Sequence, residues 1–443
     1  MSTFLEEIII YGAVFLLCAI VVGWYLWAQL KGSKKVGEKI EEAKAAGLHE
    51  PVSLHPVIDV NTCIKSGACV AACPEEDILG IMNGRGTVIN ASRCVGHGAC
   101  FHACPVEAIT LCIGTEKRGV ELPHVAQTYE TNVNGVYIAG ELGGMGLIKN
   151  SVEQGRQAVE NIAETIEKKG GDTLDLVVVG AGPAGISGSL MAKKKGLSCI
   201  TLEQDTLGGT VFTFPRSKVV MTSPMELPLY GTVKLFDTSK TELLELWTDV
   251  IDKHGIEIKE KSRVERIEDE GEIFEIFTAN GESYRTKRVL LAIGRRGTPR
   301  KLGVPGEQKE KVAYRLLEPE MISGKDIMVV GGGDSAIESA LLLADDNNVT
   351  LSYRKDKFSR IKPKNNEKVL NAIQEGTITM KYNTNVTEIM DNAVLLKHNE
   401  DDSVESIPND LIYIFAGGIL PTKFLQSIGI EITKKFGDAI LKH

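Results

Sequence analysis

The sequence carries no surplus of positive charge: 50 Lys and Arg stand against 59 Asp and Glu in 443 residues, a net of −9 with His neutral. Neutralising nucleic-acid phosphates takes a basic surface, so nucleic acid is excluded as the main partner. Charge of either sign is also missing from Ile8 to Leu30, IIIYGAVFLLCAIVVGWYLWAQL. At about 1.5 Å per residue, a helix over that run crosses a hydrocarbon core of about 30 Å. Glu6 and Glu7 precede the run and no small-residue cleavage site follows it, so a retained span is expected rather than a cleaved leader. Trp24, Tyr25 and Trp27 suit one interface, and Lys31, Lys34 and Lys35 follow at once. The positive-inside rule then predicts a single-pass anchor over 1–30 in the inner membrane, with everything downstream cytoplasmic. Residues 31–56, including EKIEEAKAAG, read as a charged stalk or linker.

Nine cysteines are present, and six of them form two short runs whose spacing suits metal rather than disulfides. This implies a reducing compartment. Cys18, Cys112 and Cys199 stand alone among apolar residues and read as small buried hydrophobes. The runs, CIKSGACVAACP from Cys63 to Pro74 and CVGHGACFHACP from Cys94 to Pro105, are an internal repeat. They resemble the C-x2-C-x2-C-x3-C-P motifs of two-cluster bacterial ferredoxins, except that the second cysteine is Ser66 in one run and His97 in the other. The resemblance covers about residues 57–113 and implies a βαββαβ domain. In ferredoxins the fourth cysteine of each run ligates the other cluster. The implied thiolate sets are therefore Cys63, Cys69 and Cys104, and Cys94, Cys100 and Cys73. Three thiolates hold a 3Fe-4S cluster, or a 4Fe-4S cluster whose last iron takes another ligand; His97 is a credible one and Ser66 a poorer one. The alternative is a domain whose two clusters have been lost.

A strand-like run leads into VVVGAGPAGISGSL, with Gly180, Gly182 and Gly185 in a G-x-G-x-x-G turn opening a helix. Such glycines let backbone N–H groups approach a pyrophosphate, and Glu203, at the end of the next strand, suits a ribose 2′-hydroxyl. FAD fits that site. A second turn, VVGGGDSAIESALLLA, places Gly331, Gly333 and Ala336 at the motif positions, with Asp334 and Ser335 between them. There the following strand ends in Arg354, with Arg360 or Lys355 nearby, which favours the 2′-phosphate of NADPH over NADH.

Two such turns, with LLAIGRRGTPRKLGVPGE between them and YIFAGGILPTKF after them, resemble the thioredoxin reductase family over about residues 172–430. The resemblance implies an FAD domain (114–300, completed by 406–443) with an inserted NADPH domain (301–405), joined by crossings at Ala292–Gly294 and Ala416–Gly418. Gly208, Gly209 and Thr210 then become flavin neighbours. The family's C-x-x-C is missing: VAYRLLEPEMISGKDI stands in its place, which excludes internal dithiol chemistry. The likeness is thus to the cysteine-free branches, the ferredoxin-NADP reductases and bacilliredoxin-reductase-like enzymes. The family's closing strand and helix are also missing from the end. Their counterpart, TNVNGVYIAGE from Thr131 to Glu141 and a helix opening near Gly146, lies upstream, which implies a circularly permuted FAD domain with Gly140 and Glu141 at the flavin.

The expected fold is α/β, with two Rossmann-like domains after a membrane helix and a ferredoxin-like domain. The expected function is electron transfer between NADPH, FAD, two iron–sulfur clusters and a redox partner, which is a ferredoxin, a quinone or a thiol protein. No acid–base triad is required, and none is present. The alternatives are a reductase of an external protein disulfide and a non-enzymatic redox sensor or scaffold. The family resemblance also implies a homodimer.

Overall fold

The computed structural model describes residues 2–441 apart from 46–48, 50, 52–53, 76, 95, 97, 118, 145–146, 167–172, 213–218, 222–223, 236, 296–297 and 359–360. The chain divides into two compact units, residues 1–120 with 435–443, and residues 121–434.

The first unit begins with one helix, α1 (Ser2–Ala45), of 44 residues. Ile8 to Leu30 are nearly all exposed, with apolar side chains on every face, and the helix is long and apolar enough to cross a membrane. The stretch expected as a linker continues the same helix to Ala45. Its physical reason is a second pattern: Val36, Lys39, Ile40 and Ala43 recur at helical spacing and turn inward, Ala43 being 5% exposed. Val36 lies so close to Gly80 that a Cβ there would stand 3.0 Å from it. Lys39 pairs with Asp77, and the Asn83 N–H donates to Ser33 Oγ at 3.1 Å.

The cysteine runs occupy the order β1 (Leu54–Ile58), α2 (Ala68–Ala72), β2 (Leu79–Met82), β3 (Arg85–Val88), α3 (Ala99–Ala103) and β4 (Ile109–Ile113). β1 and β4 pair antiparallel, Leu54 opposite Ile113. β2 and β3 form a hairpin turning at Asn83 and Gly84, both at positive φ (49° and 70°), a two-residue turn that matches strand twist. Two expected boundaries move. β1 takes residues 54–56 from the linker, and the strand Asp438–Leu441, expected to return to the first dinucleotide domain, pairs instead with β4. There it covers the edge of β4 that β1 leaves open.

In the second unit, β5 (Val120–Pro123) pairs with Ile432–Lys435 and leads to β6 (Val136–Ile138), α4 (Ile148–Thr165), β7 (Leu174–Val179), α5 (Pro183–Lys194) and β8 (Cys199–Leu202). The first sheet runs in the order Ile258–Lys259, β8, β7, Ser283–Leu291, Phe274–Thr278, Val264–Asp269. β6 joins it parallel to Ser283–Leu291, Val136 opposite Val289. α4 packs on α5 at a glycine contact, because a Cβ on Gly155 would lie 2.0 Å from the Ala184 carbonyl oxygen.

The second sheet is parallel, in the order Val312–Ala313, Leu411–Ile414, Asp326–Val330, Asn348–Tyr353, Ile378–Tyr382. The boundary expected at 405 therefore falls too early. The apolar run Leu411–Ile414 is fully flanked in this sheet, with Ile412 and Ile414 buried. The two passages between the sheets pair with each other, Thr298 opposite Ile419. The second unit is thus a mixed α/β fold built on two main sheets.

Candidate cofactor and cluster sites

Backbone contact explains the first glycine turn. Gly180 has φ +105°, and a Cβ there would lie 2.6 Å from the Ala292 carbonyl oxygen; one on Gly185 would lie 1.8 Å from the Gly180 carbonyl oxygen. Gly182, which opens α5, has nothing within 4 Å. Two glycines thus seat the turn and the middle one faces open space beside free helix N–H groups, as a pyrophosphate needs.

Glu203 is 4% exposed. Its carboxylate accepts the N–H of Ala181 at 2.7 Å and that of Asp205 at 2.9 Å. Burial pushes the carboxyl above its ordinary pKa despite those donors. Gly208 and Gly209 come to the same turn: the Gly208 N–H donates to the Ala181 carbonyl, and a Cβ on Gly209 would lie 3.2 Å from the Gly182 Cα. Thr210 follows, exposed. Of the segment beyond, residues 213–218 lie outside the described residues.

Gly140, at φ +87°, also reaches this turn, since a Cβ there would lie 3.2 Å from the Ala184 Cβ. Its N–H donates to the buried Gln154 Oε1 at 2.8 Å. Glu141 begins the short helix Glu141–Gly143. Burial lowers the pKa of Arg295, and the charge of Glu141 opposes that shift, so the two face one another electrostatically. Sequence reasoning missed Gln154 and Arg295. Arg295 follows directly after the Ala292–Gly294 crossing, a position that marked it for notice. α4 opens at Ile148; Gly146, where its start was expected, lies outside the described residues.

At the second turn, Gly331 has φ +144°, and a Cβ would lie 2.7 Å from the Phe415 carbonyl oxygen. Ala336 is fully buried, while Gly333 and Ser335 are exposed, with nothing within 4 Å of the Gly333 Cβ position. Asp334 Oδ1 accepts the Lys362 N–H at 2.8 Å and Asn365 Nδ2 at 2.7 Å, tying the first helical turn to the next helix. Arg354 stands exposed just past its strand, and its carbonyl accepts Asn399 Nδ2 at 3.2 Å. Arg360 lies outside the described residues. Tyr353 packs against Gly332 and stacks on Phe358 with ring centroids 5.6 Å apart, an aromatic wall that the charge-based reading overlooked.

Three of the six clustered thiols meet at one pocket. Cys63, Cys69 and Cys104 line this small pocket with Ser66, Ile58 and Ile81. Backbone N–H groups point at two of these sulfurs, Gly86 to Cys63 at 3.4 Å and Ala108 to Cys104 at 3.3 Å. Burial, then the neighbouring Cys94 and Cys73, push the Cys100 thiol up to about 12; burial and Cys73 push Cys94 up to about 11. Gly67 and Gly98 stand at matching positions with φ 71° and 74°, each opening the short helix that carries Cys69 or Cys100. Among the described residues no three His, Cys, Asp or Glu side chains converge on a single ion. A multi-iron cluster asks for something else, a cavity with thiols spread around it and N–H groups aimed at sulfur, and the Cys63 cavity has both. His97 lies outside the described residues.

Residues 177–441 match the family described as pyridine nucleotide-disulphide oxidoreductase, and residues 55–105 match the 4Fe-4S dicluster domain. The chain is similar to a ferredoxin–NADP reductase of Ignicoccus hospitalis, 29% identical over 269 residues, covering 59% of this chain and 83% of that one. It is 27% identical over 267 residues to bacilliredoxin reductase Bdr of Bacillus subtilis, covering 59% and 82%. Among solved structures it resembles the bacillithiol disulfide reductase Bdr of Staphylococcus aureus, with 25% identity, a TM-score of 0.52, and coverage of 59% and 82%.

Proposed function

Because the chain belongs to the pyridine nucleotide-disulphide oxidoreductase family, we propose that it is a membrane-anchored flavoenzyme moving electrons between NADPH and a redox partner through two iron–sulfur clusters. One observation carries the reading. Two glycine turns, open at Gly182 and Gly333, occur in a chain with no cysteine after Cys199, while six cysteines gather in the other unit. A dithiol relay beside the second turn is thereby ruled out, and the clustered thiols are the remaining outlet.

When bound, FAD and NADPH supply hydride transfer, and the flavin divides the electron pair for one-electron clusters. Gly180, Gly182 and Gly185 seat the FAD pyrophosphate at the α5 N-terminus, and Glu203 takes the adenosine ribose. Gly140, Glu141, Gly208, Gly209 and Thr210 border the flavin end. Gly331, Gly333, Asp334, Ser335 and Ala336 form the NADPH turn, with Arg354 and Arg360 at the 2′-phosphate. Cys63, Cys69 and Cys104 hold one cluster, and Cys94, Cys100 and Cys73 the other, with His97 as its fourth ligand. The position of β6 and α4, earlier in the chain than β7 yet in its sheet and on its helix, supports a circularly permuted FAD domain. The strand and helix order of the cysteine unit supports a ferredoxin-like βαββαβ domain.

The test is anaerobic addition of NADPH to purified protein. Flavin absorbance should bleach, followed by paramagnetic cluster signals. The likeness to the Bdr enzymes favours a second reading, reduction of an external disulfide. Bleaching without cluster signals, together with disulfide turnover that survives removal of the cysteines, would select that reading instead.

A further inference from the structure

We propose that the Cys63 end of the cysteine domain rests on an anionic phospholipid surface, so that the domain lies against the membrane rather than hanging from a stalk. This rests on the proposed span of α1.

The argument begins with direction along α1. β2 runs antiparallel to the helix: Asp77 meets Lys39, Gly80 meets Val36, and Asn83 meets Ser33. The turn of the hairpin therefore points back toward the apolar run. Ser33 is three residues beyond Leu30, about 4.5 Å at about 1.5 Å per residue. Nothing flexible separates span from domain on this path, because the helix is continuous through Ala45. A turn docked within one helical step of the hydrocarbon boundary lies in the headgroup layer.

The residues gathered at that end suit the location. Lys65 Nζ lies against Gly84, and Arg85 Nη1 donates to the Val60 carbonyl, so the loop from Asp59 to Lys65 sits beside the turn. On this loop Val60 and Ile64 are 48% and 60% exposed, an apolar pair that water has no reason to favour. Lys65 and Arg85 beside them are exposed cations, and Lys31, Lys34 and Lys35 are exposed on the stretch of α1 that flanks Ser33. The one acid on the loop, Asp59, is occupied by the Thr62 hydroxyl and the Asn61 N–H, with Arg85 near enough to lower its pKa further. Lys31 also lies over the Trp27 ring, 5.0 Å from its centroid, an aromatic and a cation paired at the interface. Exposed apolar side chains with cations at the same end of a domain are what an anionic lipid surface binds. The Cys63 loop lines the cavity of the first thiol set, which brings that cavity to the lipid boundary.

The experiment uses the full chain in nanodiscs containing phosphatidylglycerol and phosphatidylcholine. A benzophenone amino acid replaces Phe15 in the span or Ile64 on the loop, and lipid adducts are read by mass spectrometry after illumination. Adducts at both positions are expected. The yield at 64 should fall at least fivefold in phosphatidylcholine alone. An adduct at 15 without one at 64 overturns the proposal and leaves the span standing. No adduct at 15 removes the span itself. Equal yields at 64 in both lipids overturn the electrostatic basis of the contact.

Discussion

The carboxylate of Glu203 accepts the Ala181 N–H at 2.7 Å, so the acid at the end of β8 also pins the glycine turn that opens α5. One side chain thus shapes the turn and faces the adenosine side of the proposed flavin site. In Glu203→Gln the amide group replaces an acceptor with a donor and leaves one N–H of Ala181 or Asp205 unpaired, costing about 1–3 kcal/mol. FAD retention on gel filtration and the thermal midpoint should fall together. Flavin content equal to that of the unsubstituted protein would remove Glu203 from the site.

Gly182 and Gly185 make opposite predictions although both belong to one motif. Gly185→Ala drives a Cβ to 1.8 Å from the Gly180 carbonyl oxygen, so it should lower stability by more than about 2 kcal/mol and deplete folded protein. Gly182→Ala meets no protein atom within 4 Å and should melt within a few degrees of the parent while binding FAD at least tenfold more weakly. Thermal melts and flavin titration separate the two. Equal FAD affinity in Gly182→Ala would show that no phosphate sits at this turn.

Arg354→Ala should raise the KM for NADPH by about 10- to 100-fold, the worth of a charge-assisted contact to phosphate, and leave that for NADH almost unchanged. The exposed position of Arg354 means that stability should not move. Steady-state reduction of an artificial acceptor with each nucleotide gives both values. An equal change for the two nucleotides would place the 2′-phosphate elsewhere.

Asp175 and Lys287 form a largely buried pair at 2.7 Å, their side chains 10% and 16% exposed, and Ser198 donates to the second carboxylate oxygen at 3.0 Å. Burial opposes ionisation of Asp175, but Lys287 and Ser198 outweigh it and hold the carboxyl below its usual range. The stability it contributes is therefore complete above the unfolded pKa of about 3.9 and is lost as pH falls through the lower folded value. Asp175→Asn removes the carboxylate that faces the buried Lys287 ammonium and should cost about 3 kcal/mol at neutral pH. The gap between variant and parent in urea unfolding should narrow below about pH 4. A gap independent of pH would assign the loss to packing.

The glycine turns were legible in the sequence because their requirement is local: a strand, two backbone contacts and a helix start all fall within a few residues, and no substitute fits Gly180 or Gly185. The membrane-length helix was legible for a similar reason, since length and apolarity are properties of one segment. The repeat spacing of the cysteines pointed to two groups of three thiols, and the fold brings Cys63, Cys69 and Cys104 to one pocket. Arg295 and Gln154 were not legible, because each acts on a partner brought to it by another element: Glu141 for the arginine, Gly140 for the glutamine.

The sequence alone determined which segments carry each kind of chemistry, since motif spacing and charge are written along the chain. Tertiary structure alone decided where those segments meet. It made the linker a packed helix, through a stripe from Val36 to Ala43 whose meaning depends on Gly80 and Asp77 lying opposite. It sent the final strand to β4, because an open sheet edge is satisfied by whichever chain reaches it in space. And it turned the Asn83 hairpin toward the apolar end of α1, an orientation that belongs to the pairing of two distant elements and to neither one alone.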